Sequence, residues 1–383
     1  MSNPLVELNN LGQSIWYDNI ERKLLISGEF ERMIREDDLR GMTSNPAIFE
    51  KAISSSDDYN EQLKELVAER KSAMEIYEAL AIRDIQTAAD ILKPVYEKTN
   101  KLDGYVSLEC SPLLAHDTQA TIEEARRLWK AVDRPNIMIK IPGTQAGLPA
   151  IEACLYEGIN INITLLFSLA AYQGTMDAYI NGLTRRMNEG KPVDGIASVA
   201  SFFVSRIDSA VDKKLAALIE QADSEEKKAE LKSIEGRVAI ANAKMAYQLY
   251  KENFHSDRFA ALKAKGAMVQ RPLWASTSTK NPAYPDVYYV ETLIGTETVN
   301  TIPAATYKAF KDHGKPRISI EDNLDDERNV LAKLEKAGIS LSAVTQQVLD
   351  EGVSLFIQPF EKLLASIQAK SDELAKGQGA ASD

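Results

Sequence analysis

The run Ile137-Met138-Ile139-Lys140-Ile141-Pro142-Gly143 sets one lysine inside an otherwise apolar strand pattern. Lysine is seldom buried, so Lys140 needs either a partner or a task. As a structural residue it would snorkel to the end of the strand or pair with Glu109. As a chemical residue it would be an amine whose desolvation favours the neutral, nucleophilic form, able to attack a ketone and form a Schiff base. Such chemistry needs groups that move protons, and Asp18, Glu109 and Thr164 stand at the ends of other strand-like runs. The three histidines, His116, His255 and His313, lack HxxxH or HxH spacing, which disfavours a histidine-rich metal site. Gly143-Thr144-Gln145-Ala146-Gly147 follows a strand as a phosphate loop would, but has neither a Walker motif nor GxGxxG. A tight turn before a helix is the better reading. Arg206 and Lys280 follow later strand-like runs, where barrels often bind phosphate; the plainer alternative for each is a surface ion pair.

These groups must be positioned by a scaffold. Short β-rich runs alternate with long amphipathic stretches, the pattern of repeated βα units and a parallel sheet. The predicted strands are Ser14–Asp18, Leu39–Ser44, Gly104–Glu109, Ile137–Ile141, Asn160–Leu166, Ser198–Val204, Arg271–Ser276 and Thr298–Ile302. Several are apolar on both faces, as strands covered by helices should be. Eight units predict an α/β fold, a single (β/α)8 TIM barrel with additional helices, whose active site lies at the C-terminal strand ends. Asp18, Asn45, Glu109, Lys140, Thr164, Ser201 and Ser276 fall there. One polar residue in such a place is commonly a turn or helix cap; seven of varied chemistry at the same end point to a site.

Two intervals exceed a single crossover helix. Ser55–Asn100 predicts one or two helices ended or kinked at Pro94, and Val211–Lys265 a helical hairpin broken near Asp223–Ser224. A helix starting at Asp325 and Asp326 should stop at Gly338, and another should run from Ser342 to about Leu374 across the barrel mouth. The expected organisation is one barrel domain over residues 1–376, with insertions at about 55–100 and 211–265, and a flexible tail at 377–383.

The 383 residues include 45 Lys+Arg and 56 Asp+Glu, a net charge of −11. That balance disfavours nucleic acid or an anionic membrane as the main partner while allowing local basic pockets for small anions. With 44% hydrophobic and 26% charged residues the composition is that of a globular protein. Two cysteines, Cys110 and Cys154, have no CxxC spacing. No basic segment followed by an apolar stretch opens the chain, and no window reaches the length of a membrane span. The expectation is a cytoplasmic protein with reduced thiols. Nothing separates a monomer from a homodimer.

Together the motifs resemble the transaldolase family. Thr43-Ser44-Asn45-Pro46 is similar to its Thr-Ser/Thr-Asn-Pro signature, Ile139-Lys140-Ile141-Pro142 to its Schiff-base strand, and Asn162-Ile163-Thr164-Leu165-Leu166-Phe167-Ser168 to the strand that follows. The resemblance continues through Ser107-Leu108-Glu109, Ser201 to Asp208 and Trp274-Ala275-Ser276-Thr277, spanning about Leu5 to about Ile367. The long helical insertions suggest the longer bacterial branch. The resemblance implies sugar-phosphate substrates, no metal and no organic cofactor. It further implies a step of the non-oxidative pentose phosphate pathway, in which a dihydroxyacetone unit moves from sedoheptulose 7-phosphate to glyceraldehyde 3-phosphate.

By the same resemblance Lys140 forms the imine and Asp18 takes the C4 hydroxyl proton during carbon–carbon cleavage. Glu109, with Thr164 and a water, serves the carbinolamine steps. Asn45, Asn162 and Ser201 hold the hydroxyls of the three-carbon unit, and Arg206 and Ser276 bind phosphate. Short family members carry an arginine soon after the serine matching Ser276. Here the run continues Thr277-Ser278-Thr279-Lys280, and Lys280 offers a point charge without a bidentate fork. Phe203 matches a tyrosine of fructose 6-phosphate aldolases and would either keep a proton-donating water from the enamine or simply pack. Two other functions compete: an aldolase that releases free dihydroxyacetone, and a helical scaffold protein, which leaves the polar strand ends unexplained.

Overall fold

A computed structural model describes residues 3–379. Eight strands form a closed barrel in chain order: β1 Gln13–Asp18, β2 Gly41–Thr43, β3 Tyr105–Glu109, β4 Ile137–Pro142, β5 Ile161–Leu166, β6 Ser198–Phe203, β7 Arg271–Ala275 and β8 Thr298–Ile302. All neighbours are parallel, and β8 returns to β1 with Gln13 opposite Thr298 and Tyr17 opposite Ile302. Seven strands lie within about a residue of their sequence bounds; β2 is only the centre of its run.

The interior explains several residue choices. Trp16 lies across the barrel under Asp18, and a Cβ at Gly41 would stand 2.5 Å from its indole. Glycine leaves room for the ring. At the N-terminal end Arg271 Nη2 meets Asp103 Oδ1 at 2.8 Å, while Ser14 Oγ donates to Asp103 Oδ2 at 2.7 Å. The buried charges therefore have partners, as burial demands. Near the other end, the β5–β6 register shifts between Ile163 and Leu166, and Leu165 takes a φ of 59°. Such a bulge re-aims neighbouring side chains, and Thr164 stands in it.

The first long interval contains helices Asn60–Ala68 and Ala73–Lys98. Pro94 does not end the second. It sits on an exposed face, where solvent can satisfy the carbonyl that its missing N–H leaves free. The second interval is more divided than a hairpin: after Ser205–Gln221 come Glu225–Lys232, Val238–Phe254 and Asp257–Lys263. Its first break falls where expected, with Ser224 accepting from Lys227 N as a cap. Leu324–Lys336 stops before Gly338, whose φ is 82°.

The helix Leu341–Gly379 packs on Pro46–Ser55, Ala73–Lys98 and Ser205–Gln221 and touches β5, which carries it over the mouth. Phe360 meets Tyr77 edge-on at 5.4 Å, and Lys362 pairs with Glu50 at 2.7 Å. Residues 377–379, expected in the tail, continue this helix; residues 380–383 lie outside the described residues. Among the described residues no helix is long and apolar enough to cross a membrane.

Candidate active site

The C-terminal strand ends open into a cavity of about 680 Å³ lined by Asp18, Asn45, Lys140, Thr164, Ser201, Phe203, Arg206, Ser276 and Lys280. Of the sequence-derived residues, Glu109 and Asn162 stand behind this lining. Parallel register explains the juxtaposition, because Glu109 is opposite Lys140 on β3 and β4 and their side chains share the interior face. Lys140 is 5% exposed, its Nζ 3.2 Å from Glu109 Oε2 and donating to Ser44 O at 2.8 Å. Phe356 of the C-terminal helix closes the space above it, its ring centroid 5.9 Å from the same nitrogen.

Both carboxyl groups are displaced upward from ordinary values. Asp18 is raised by removal from water, against the opposing pull of the Thr43 hydrogen bond and of the Lys140, Lys280 and Arg206 charges. Glu109 is raised by burial, restrained by Lys140 and assisted by the like charge of Asp18. Carboxyls moved toward neutrality are better matched to reversible proton transfer. Thr164 Oγ1 is buried with no hydrogen-bond partner among the described residues. Next to Glu109, Cys110 is buried and its thiol is pushed well up by that burial, which disfavours a reactive thiolate.

At the other end of the cavity Arg206 and Lys280 form a cationic corner. Burial draws both below their usual values, and Arg206 lowers Lys280 further by like charge. Arg206 Nη1 is buried and unpartnered among the described residues. Ser276, at a φ of 55°, holds its hydroxyl 3.0 Å from Ser205 Oγ, and Lys280 Nζ donates to Ser278 Oγ at 2.7 Å. Adjacent cations with unused donors suit a dianion such as phosphate.

Asn162 stands just behind the cavity lining, next to Ser201. Its side chain is fully buried; Nδ2 donates to Ser107 Oγ at 3.0 Å, and Oδ1 accepts from Ser201 Oγ at 2.7 Å. These bonds tie Asn162 to Ser201, which lines the cavity, and use one N–H of Nδ2 and one lone pair of Oδ1. Asn45 lines the cavity while its Oδ1 accepts from Ile48 N, capping Pro46–Ser55. Phe203 lines the cavity and also packs on Phe167 at 5.2 Å. Sequence reasoning missed Ser278, Thr301 and Phe356 as lining residues, and quoted Thr43 without a role.

A family model described as transaldolase/fructose-6-phosphate aldolase matches residues 15–367. The chain is 50% identical to a transaldolase of Trichodesmium erythraeum over 376 residues, 98% of this chain and 99% of that one. The chain belongs to the transaldolase/fructose-6-phosphate aldolase family. It is also 50% identical to transaldolase 2 of a Nostoc species over 371 residues, covering 96% of this chain and 97% of that one. A transaldolase of Thiobacillus denitrificans is 46% identical over 361 residues, 94% of this chain and 98% of its own. At this likeness the chain is an enzyme of the transaldolase kind.

The cationic corner of this transaldolase-family chain can be tested by substitution. Arg206→Ala is expected to raise KM for phosphorylated substrates by roughly 10- to 150-fold, the equivalent of a charge-assisted contact. Non-phosphorylated dihydroxyacetone donors should be affected far less. Equal losses for both donor types would remove Arg206 from phosphate recognition.

Proposed function

We propose that the enzyme transfers a dihydroxyacetone unit from sedoheptulose 7-phosphate to glyceraldehyde 3-phosphate through an imine on Lys140. The observation that carries this reading is a buried amine 3.2 Å from a carboxylate, on the same barrel interior as Asp18. The amine attacks the ketose carbonyl, and loss of water leaves a protonated imine, with Glu109, Thr164 and a water handling the protons. Asp18 then takes the proton of the C4 hydroxyl. The C3–C4 electrons pass into the imine, C4 leaves as the aldehyde carbon, and an enamine remains on Lys140. The acceptor aldehyde reverses these steps, with Asp18 returning its proton to the new alkoxide.

Arg206, Ser276 and Lys280 hold the substrate phosphate, while Asn45 and Ser201 hold hydroxyls of the three-carbon unit. The imine is the electron sink throughout. A cytoplasmic location belongs to the same reading, supported by buried, unpaired Cys110 and Cys154.

Borohydride trapping tests the proposal. Fructose 6-phosphate without acceptor should leave a reducible dihydroxyacetone adduct on Lys140. Erythrose 4-phosphate added before reduction should drain the adduct into sedoheptulose 7-phosphate. The competing reading is an aldolase that protonates the enamine and releases dihydroxyacetone. Phe203 favours transfer, because it puts an apolar ring where a hydroxyl would assist that protonation. Stoichiometric free dihydroxyacetone in the absence of acceptor would decide for the aldolase.

A further inference from the structure

Asp18 is braced from both neighbouring strands. Thr43 Oγ1 of β2 lies 2.7 Å from Asp18 Oδ1, and Thr301 Oγ1 of β8 lies 2.6 Å from the same Thr43 oxygen. Both distances suit O–H···O bonds. Their directions follow from proton counting. An ionised carboxylate only accepts, so the single hydroxyl proton of Thr43 points to Oδ1. Thr43 then has none for Thr301, and Thr301 must donate to Thr43. Parallel register makes the arrangement possible, with Asp18 opposite Thr43 and Trp16 opposite Thr301, on the interior face of β1.

We propose that Thr301 is a positioning residue for the cleavage base, acting through Thr43 to fix the Asp18 carboxylate. Taking Asp18 as that base, as proposed above, the chain engages Oδ1 and leaves Oδ2 as the oxygen that receives the C4 hydroxyl proton. Oδ2 has no side-chain hydrogen-bond partner among the described residues, and Asp18 lines the cavity. Thr301 lines it too but is 3% exposed, which suits a support for another side chain. Successive hydroxyls polarise one another, so Thr301 strengthens the Thr43 bond to the carboxylate.

Charges also face Asp18 from other elements: Lys140 on β4, Arg206 on Ser205–Gln221 and Lys280 after β7 lower its proton affinity, while Glu109 on β3 is a like charge. These remain when the threonines are changed. Loss of the hydroxyl chain therefore leaves burial less opposed and makes the Asp18 carboxylate harder to ionise. The pH range in which Asp18 is a free base must then begin higher.

The test measures single-turnover cleavage of fructose 6-phosphate against pH, with borohydride trapping of the adduct on Lys140 in parallel. Thr43→Val should slow cleavage at neutral pH and move the acidic midpoint upward by about one pH unit. Thr301→Val should move it the same way by less. The double variant should match Thr43→Val, because Thr301 acts only through Thr43. Thr301→Ser should restore the original profile, and every variant should still form the Lys140 imine with little change in KM. Additive effects of the two substitutions, or a Thr301→Val variant with the original pH midpoint, would overturn the role. A merely structural residue would instead lower thermal stability and imine formation together. Absence of an adduct in the unsubstituted enzyme would overturn the imine mechanism itself, a separate result read in the same experiment.

Discussion

Lys140→Arg is expected to lower transfer by ~10⁴-fold or more and to leave no borohydride-reducible label. The substitution keeps a cation beside Glu109 and a donor toward Ser44 O, the two groups within 3.2 Å of the native ammonium. The fold therefore retains a buried charge with its partner, and the loss is chemical. A guanidinium stays protonated at any working pH and has no lone pair with which to attack a carbonyl. Lys280 provides the internal control, since it lines the same cavity. Peptide mapping of unsubstituted enzyme should find the adduct on Lys140 and none on Lys280. Label on Lys280, or transfer that survives in Lys140→Arg, would relocate the nucleophile.

Asp18→Ala separates imine formation from cleavage. Turnover should fall by roughly 10²- to 10⁴-fold, the range for removal of a positioned general base. Imine formation should persist, because Lys140 and Glu109 are untouched. The species trapped should change: unsubstituted enzyme yields the three-carbon adduct, whereas Asp18→Ala should accumulate the six-carbon adduct of uncleaved fructose 6-phosphate. Mass analysis of the labelled peptide distinguishes the two. A normal kcat, or a three-carbon adduct formed at the normal rate, removes Asp18 from the cleavage step.

The parts of this site legible in the sequence were those that break a pattern. Strands buried on both faces read as apolar runs, so one lysine in Ile137–Pro142 or one threonine in Ile161–Leu166 stands out. The same logic located the barrel itself. Thr301 breaks no pattern, because threonine is an ordinary strand residue and its meaning depends on Thr43, distant in sequence. Phe356 was hidden for a related reason: apolar periodicity marks a buried helix face without saying whether it meets core or cavity. Ser44 contributes a main-chain carbonyl, which side-chain identity cannot announce. Asn162 stands out as an amide in an apolar strand, but its bonds to Ser107 and Ser201 depend on strands distant in sequence and are visible only in the fold. Pro94 lies inside its helix without ending it, since a proline stops a helix less surely where its freed carbonyl faces water.

The helix Leu341–Gly379 brings a late segment of the chain onto early ones, because it rests on Pro46–Ser55 and Ala73–Lys98. During synthesis those early helices leave the ribosome well before their cover exists, with Tyr77 still lacking Phe360. The barrel seam waits as well, since β1 must hold its open edge until β8 arrives. A nascent chain stopped short of Leu341 therefore has Lys140 in its sequence but not the Phe356 ring that covers it.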